Sequence, residues 1–569
     1  MNKQLICILI ISVFVSFCNV IQAQDEIAAD LKAANNFDTT GFKFQIEEGL
    51  FKPNIQSFES NYHCPEWFRD AKFGIYMHWG LTTVAGADGH YARYMYTQQE
   101  PEAAKIDRET KRRAMSGYKP GKESVYQYHV KKFGHPSKFG YKDLIPLWKA
   151  DKFDAMALAA FFKECGAKYI GVMAVHHDNF DLYNSTYQPW NSVRMGPKKD
   201  IVGEWKKACT AQNLRFAITS HLSNGNHEHL FYQGISDSTG PLAGVPYDVM
   251  DPKNEGLYGK RTPDRLKRLN PEFAQSWYLR TKELIDKYNP DLLYLDGGLP
   301  NGEYGLNLAA HFYNHNIKTK GKLDGVFTIK NTKSPGFILD VEANGIGKLL
   351  KEPWQVDNSI NPGWFHLENI DASEIPKTSG TDDGGMSKAT TTINGADLVR
   401  LTGGQVIDNF VDIVSKNGNM MLNVGLRADG SLPETYRHEL TIIGNWLKIN
   451  GEAIFSTRPF TVFGEGPFEL PKKGGFNDNE FKFTAKDIRF TQSKNGKTLF
   501  IILLDWPGNS AKVTVKLLNN NVLASIKSLS MLATGEKLKW SQDAEGLHVN
   551  MPEKPVGDFA YVLKVDAAK

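Results

Sequence analysis

At 569 residues the chain is too long for one ordinary hydrophobic core, so two domains are expected, one of them large. Its formal charge is +3, from 67 Lys and Arg against 64 Asp and Glu, which removes any general electrostatic argument for a nucleic-acid partner. Its five cysteines, Cys7, Cys18, Cys64, Cys165 and Cys209, follow neither a disulfide framework nor a zinc pattern, so the fold must stand on its core.

The chain opens "MNKQLICILIISVFVSFCNVIQAQDE", with Lys3 before an apolar run from Leu5 to Ile21 and a small-residue cleavage site at Ile21-Gln22-Ala23. This predicts an export signal over 1–23 and a periplasmic or secreted mature protein. The run is short for a bilayer span and carries Ser, Asn and Cys; Phe17 before Cys18 disfavours a lipid anchor, and no later run is long enough to span.

From 24 to 459 the sequence repeats one grammar: helical pattern, stop, apolar strand. "DAMALAAFFKECGAKYIGVMAVHHD" (154–178) stops at Gly166, "DIVGEWKKACTAQNLRFAITSHL" (200–222) at Asn213, and "NPEFAQSWYLRTKELIDKYNPDLLYLDGG" (270–298) at Asn289-Pro290. Further strand candidates are "KFGIYMHW" (72–79), "GVFTIK" (325–330), "FILDVE" (337–342) and "NMMLNVG" (419–425). Parallel strands with crossover helices in this number favour a closed (β/α)8-like barrel, and no early GxGxxG supports a dinucleotide-binding sheet. After residue 460 the pattern changes to alternating strands and tight turns, such as Lys494-Asn495-Gly496, which predicts an antiparallel β-sandwich over 460–569.

The polar residues fall in a telling place. His78, His176, Asp296 and Glu342 each end an apolar strand, and in a barrel those ends converge on the face where active sites are built. By period-2 alternation Tyr76 shares a face with His78, and Tyr294 with Asp296. His176 and Asp178 lie on one face and His177 on the other, unless a bend at the rim brings all three together. Between Ala104 and His135, Lys105, Arg108, Lys111, Arg112, Arg113, Lys119 and Lys122 form a basic run; it is either solvated surface or a grip on an acidic or sulfated glycan.

Two carboxyl groups aimed into one cleft are the machinery of glycoside hydrolysis, one attacking or activating water and the other protonating the leaving oxygen. Asp296 and Glu342 are the candidates, with Asp340 a competitor two residues before Glu342; ion pairing with Lys or Arg is the competing explanation for each. The histidines fit a metal or the hydrogen bonding of vicinal hydroxyls, and the lack of HExxH or a closing Cys/His spacing weighs against the metal.

At these residues the sequence resembles a known family. "WFRDAKFGIYMHWG", "HHDNFDLYNSTYQPWNSV", "KYNPDLLYLDGG" and "VSKNGNMMLNVGLRADGSLP", followed by "IGNWLKINGEAIFSTRPF" and "GEGP", resemble in order the motifs of glycoside hydrolase family 29, the α-L-fucosidases. The resemblance implies a barrel with a C-terminal β-sandwich and a retaining mechanism without metal or other cofactor. It implies Asp296 as nucleophile, from a Trp-Phe-Asp-Gly-like motif, and His78, His176 and His177 as sugar contacts. Glu342 carries over as acid/base from an Asp-x-Glu-Arg-Gly-like motif whose Arg is Ala343 here. Gly89-His90-Tyr91 replaces a common Glu-Trp-Tyr, and "TSHLSNGNH" replaces Tyr-Tyr-Ser, which makes His90 and His221 further contact candidates and leaves a related sugar such as α-L-galactose open. Tyr76 and Tyr294 are expected as an apolar floor, with Trp354 and Trp364 as weaker candidates for the cleft wall. The expected partner is a fucosylated oligosaccharide or polysaccharide, sulfated or not, processed by an exo-acting enzyme. A metal-dependent barrel hydrolase and a non-catalytic glycan-binding protein on the same fold are the alternatives.

Overall fold

The computed structural model describes residues 41–98, 124–222, 234–259, 271–300, 302–330, 335–368, 398–470, 481–523 and 525–567. The leader and the seven basic residues from Lys105 to Lys122 lie outside them. Among the described residues no helix is long and apolar enough to cross a membrane.

Eight parallel strands close into a barrel in sequence order: β1 (Phe73–Met77), β2 (Tyr169–Val175), β3 (Arg215–Ser220), β4 (Leu292–Leu295), β5 (Val326–Ile329), β6 (Ile338–Glu342), β7 (Trp354–Ser359) and β8 (Gly418–Asn423). The helices that return the chain include α1 (Ala155–Glu164), α2 (Ile201–Ala211), α3 (Pro271–Tyr288), α4 (Glu303–Lys320), α5 (Gly403–Ser415) and α6 (Glu434–Asn450). Asp154 and Asp200 cap α1 and α2, accepting backbone N–H bonds three residues on. Gly166 and Asn213, the anticipated stops, take positive φ.

The barrel interior is filled by side chains rather than left as a pore. Tyr169 of β2 lies over Gly74 of β1 and Tyr76 of β1 over Gly171 of β2, each pair in register. A Cβ on Gly74 would sit 2.2 Å from the Tyr169 ring, so the small residue makes room for the large one. Alternation holds as expected on β4: Leu292 and Tyr294 join the interior cluster, while Leu293 and Leu295 pack under the helices. β7 was not anticipated. Its inward residues Gln355 and Asp357 are polar, so it lacks the apolar run by which the other strands are recognised.

The C-terminal strands are β9 (Thr457–Glu465), β10 (Ile488–Ser493), β11 (Thr498–Leu503), β12 (Lys512–Val515), β13 (Ile526–Met531), β14 (Trp540–Gln542), β15 (Leu547–Asn550) and β16 (Tyr561–Ala567). They form sheets of order β13-β16-β11-β10-β9 and β12-β15-β14, antiparallel throughout. Alternation on β11 explains why "TLFIIL" is apolar on both faces: Ile501 and Leu503 pack in the sandwich core, and Phe500 and Ile502 in the core shared with the barrel.

One buried ionic group bridges the two domains. Asp412 of α5 takes Lys416 Nζ at 2.7 Å on one oxygen and Arg489 Nε of β10 at 2.7 Å on the other, all three side chains at most 3% exposed. Removing one partner of such a group leaves buried charge uncompensated, which costs about 3–5 kcal/mol. Asp412→Ala is therefore expected to lower stability by about 3–5 kcal/mol, read as a lower denaturant midpoint; an unchanged midpoint would contradict the bridge.

Candidate active site

The C-terminal ends of the strands deliver most of the anticipated residues to one hollow. The turn after β4 is Asp296-Gly297, and Gly297 takes φ of +127°, which favours glycine. That turn is tied down on both sides: the Asp296 N–H donates to the Ser220 carbonyl at 3.2 Å, and the Gly297 carbonyl accepts the Lys330 N–H at 2.7 Å. Asp296 is thereby fixed beside the end of β5, and its side chain keeps 22% exposure towards the cleft.

Lys330 is the residue that sequence reasoning missed. Its Nζ lies 3.0 Å from Asp296 Oδ1, 2.8 Å from Glu342 Oε2 and 3.6 Å from Asp357 Oδ2. Desolvation opposes its charge, but the surrounding carboxylates outweigh it and hold the ammonium well above its ordinary pKa. Burial likewise raises Asp296, but the Lys330 ammonium holds that carboxyl well below the usual range, so it is ionised. Two oxygens so close to one nitrogen lie no more than about 6 Å apart, short of the ~6.5–9.5 Å that separates inverting pairs. The signal for Lys330 was present: it ends "GVFTIK" as Asp296 ends "LLYLD".

Beneath this layer lies a second, buried one. Asp357 Oδ2 accepts from Tyr76 Oη at 3.3 Å and Tyr294 Oη at 3.2 Å, and Gln355 donates to Asp340 at 2.8 Å. Burial, and for Asp357 the neighbouring Asp340 charge, raises both carboxyls above the ordinary range. Two expectations are corrected here. Tyr76 and Tyr294 are fully buried with their hydroxyls on Asp357, so they support the site from below rather than floor it for a sugar. Asp340, 2% exposed, lies in the same interior layer and does not compete with Glu342 for the cleft.

The imidazoles form one wall. The β2–β3 register shifts between Met173 and Val175, a bulge of the kind that re-aims residues at a barrel rim. Beyond it Asn179 takes positive φ, and His176 and His177 turn into the hollow with ring centroids 4.4 Å apart. Asp178 does not follow them: its carboxylate accepts from Tyr141 Oη at 2.8 Å behind the wall, and burial pushes it up to about 6. His78 packs 5.6 Å from His176 and 4.7 Å from His221, and His90 stacks on His177 at 5.6 Å. His177 Nε2 reaches to 3.7 Å from Asp296. Desolvation drives His78 down to about 4 and His176 and His221 well below the ordinary value, so these three rings are neutral.

The two tryptophans separate. Trp364 lies 5.2 Å from His78 and lines the cleft, half-buried. Trp354 is a further correction: it starts β7 at the far end of the strand, is fully buried, and donates its indole N–H to the Lys416 carbonyl at 2.9 Å. It packs under α5 and cannot wall the cleft.

The alpha-L-fucosidase family model matches residues 42–378 and 396–452, and the alpha-L-fucosidase C-terminal domain matches residues 481–566. Tissue alpha-L-fucosidase of Homo sapiens is 24% identical over 533 residues, covering 91% of this chain and 92% of that protein. Plasma alpha-L-fucosidase of Homo sapiens is 25% identical over 516 residues, covering 88% and 89%. The crystal structure of Thermotoga maritima alpha-fucosidase with a mechanism-based inhibitor aligns at a TM-score of 0.64 and 25% identity, covering 91% of this chain and 100% of that one. Barrel, sandwich and sequence agree: the chain belongs to the alpha-L-fucosidase family of glycosidases.

Proposed function

We propose that this protein is an exported, exo-acting α-L-fucosidase that releases terminal α-L-fucose from oligo- or polysaccharides by double displacement. The observation that carries this reading is the pairing of Asp296 and Glu342 across one ammonium, beside a wall of neutral imidazoles. Export rests on the leader sequence alone, and fucose on the family and on relatives that bear the activity in their names.

In the first step Asp296, kept ionised by Lys330, attacks the anomeric carbon while Glu342 gives a proton to the departing oxygen. The bond to the aglycone breaks and an ester to Asp296 forms. The negative charge of Asp296 favours a proton on Glu342 beforehand, against the pull of the Lys330 ammonium 2.8 Å away; esterification removes that charge, and Glu342 then takes a proton from water. Water attacks the anomeric carbon from the face the aglycone left, so the sugar departs with net retention. The imidazole wall, uncharged, both donates to and accepts from sugar hydroxyls.

Hydrolysis of an aryl α-L-fucoside, with the α anomer appearing first by proton NMR, is the expected outcome; release of the β anomer first would contradict double displacement. For Glu342→Ala, turnover of a fucoside with a poor leaving group is expected to fall ~10²–10⁴-fold. Azide should restore turnover on an activated fucoside and yield the α-fucosyl azide, whereas no azide product would place the acid/base elsewhere.

Lys330 supplies a pH test. Because it holds the Asp296 pKa down, Lys330→Met is expected to raise that pKa and move the acid limb of kcat/KM upward by ~1–3 units. An acid limb that stays in place would show that Lys330 does not set the charge of the nucleophile.

A further inference from the structure

Two groups of side chains among the described residues bring ligand atoms within 4.8 Å of one another: Asp286 with His311 and His315, and His78 with His176 and His221. The first is already committed to the protein. His311 Nδ1 accepts the Glu47 N–H at 2.9 Å, its Nε2 faces Asp286 at 2.8 Å, and Lys282 takes the same carboxylate at 2.5 Å.

The second group is arranged differently. Asn423 Oδ1 accepts the His78 backbone N–H at 2.9 Å, while its Nδ2 donates to the Trp364 carbonyl at 2.8 Å and to Ser359 Oγ at 2.9 Å, which fixes the amide orientation. The same Oδ1 lies 3.0 Å from His78 Nδ1, so that nitrogen carries the ring proton and the Nε2 lone pair faces inward. An amide or carboxylate oxygen behind one ring nitrogen is the support a metal-binding histidine ordinarily has.

His78 Nε2 accepts the ring proton of His221 Nε2 at 3.1 Å, and a shift of that proton to His221 Nδ1 would leave two lone pairs facing each other. Nitrogens about 2.0–2.1 Å from a tetrahedral zinc lie roughly 3.3 Å apart, so this pair needs little movement to share one ion. The His176 ring closes the third side, 5.6 Å from His78 and 4.9 Å from His221 between centroids. His221 Nδ1 is buried without a protein partner, so this imidazole is not fully satisfied within the fold. Lys330 opposes a dication nearby, but Asp296 and Glu342 stand against it.

We propose that His78, His176 and His221 form a site for a zinc-class divalent cation at the sugar end of the cleft, and that cation and sugar exclude each other. Imidazole donors select zinc, cobalt or copper over calcium or magnesium. The cation takes no part in hydrolysis. Exclusion rests on the function proposed above, since the lone pairs that would coordinate the ion are those that would meet sugar hydroxyls; the cation site itself does not depend on that function.

The test is titration of Co²⁺ into the chelator-treated full chain, followed by the visible absorption of nitrogen-ligated, low-coordinate cobalt. Saturation at one equivalent, displacement by Zn²⁺, loss in His221→Gln and in His176→Gln, and retention in His315→Gln are expected. A melting curve confirms that each variant is folded, and the two wall variants guard against one failing to fold. No cobalt absorption, or absorption that survives both wall substitutions, would overturn the site. In steady state, Zn²⁺ at ten times its Kd should raise KM for an aryl α-L-fucoside roughly tenfold with kcat unchanged. A fall in kcat at constant KM, or activation, would overturn the exclusion. Cobalt bound by a protein inert to α-L-fucosides would support the cation site while overturning the function on which exclusion rests.

Discussion

A single ammonium holds the site together. Carboxyl groups taken out of water at the mouth of a barrel repel one another and lose hydration, and each such charge is costly unless it is paired. Lys330 meets Asp296, Glu342 and Asp357 at once, and its own charge is held in place by theirs. The backbone is built to deliver it: the glycine after Asp296 offers its carbonyl to the Lys330 N–H, so Asp296 and its counter-ion are spaced by one hydrogen bond. Below them Tyr76 and Tyr294 donate to Asp357, and the glycines opposite Tyr76 and Tyr169 let the rings fill the interior. Packing at the centre of the barrel therefore bears on the chemistry at its rim.

The wall of imidazoles follows the opposite rule. Burial, more than any neighbouring charge, sets His78, His176 and His221, and it makes them neutral. A neutral ring presents a donor at one nitrogen and an acceptor at the other, which suits a face of hydroxyl groups and also, where lone pairs converge, a cation. The residues that depart from the family motifs, His90 and His221, both join this wall. A further departure, Ala343 where the resemblance implies Arg, sits instead directly after Glu342.

Much of this was legible in the sequence because strand ends carry their chemistry in a fixed place. Helix, stop and apolar strand predicted the barrel, and His78, His176, Asp296 and Glu342 at strand ends predicted the rim. What escaped did so for physical reasons. β7 carries Gln355 and Asp357 inward, so it does not look like a buried parallel strand. Lys330 ends a strand like the others, but a lysine among carboxylates reads as an ion pair until the fold shows how many it meets. Alternation placed Tyr76 and Tyr294 on the correct face without giving their depth, and depth is what separates a floor from a support. Trp354 and Trp364 differ by ten positions and by an entire barrel height, a distinction that only the strand between them could supply.

The central claim is that Asp296, ionised by Lys330, is the attacking group. The most direct measurement is to trap the glycosyl-enzyme with a 2-deoxy-2-fluoro-α-L-fucosyl fluoride and locate the added mass by peptide mapping. A single fluorofucosyl group on the peptide that contains Asp296 is the result this account requires; the same mass on Glu342, or on any other side chain, would contradict it.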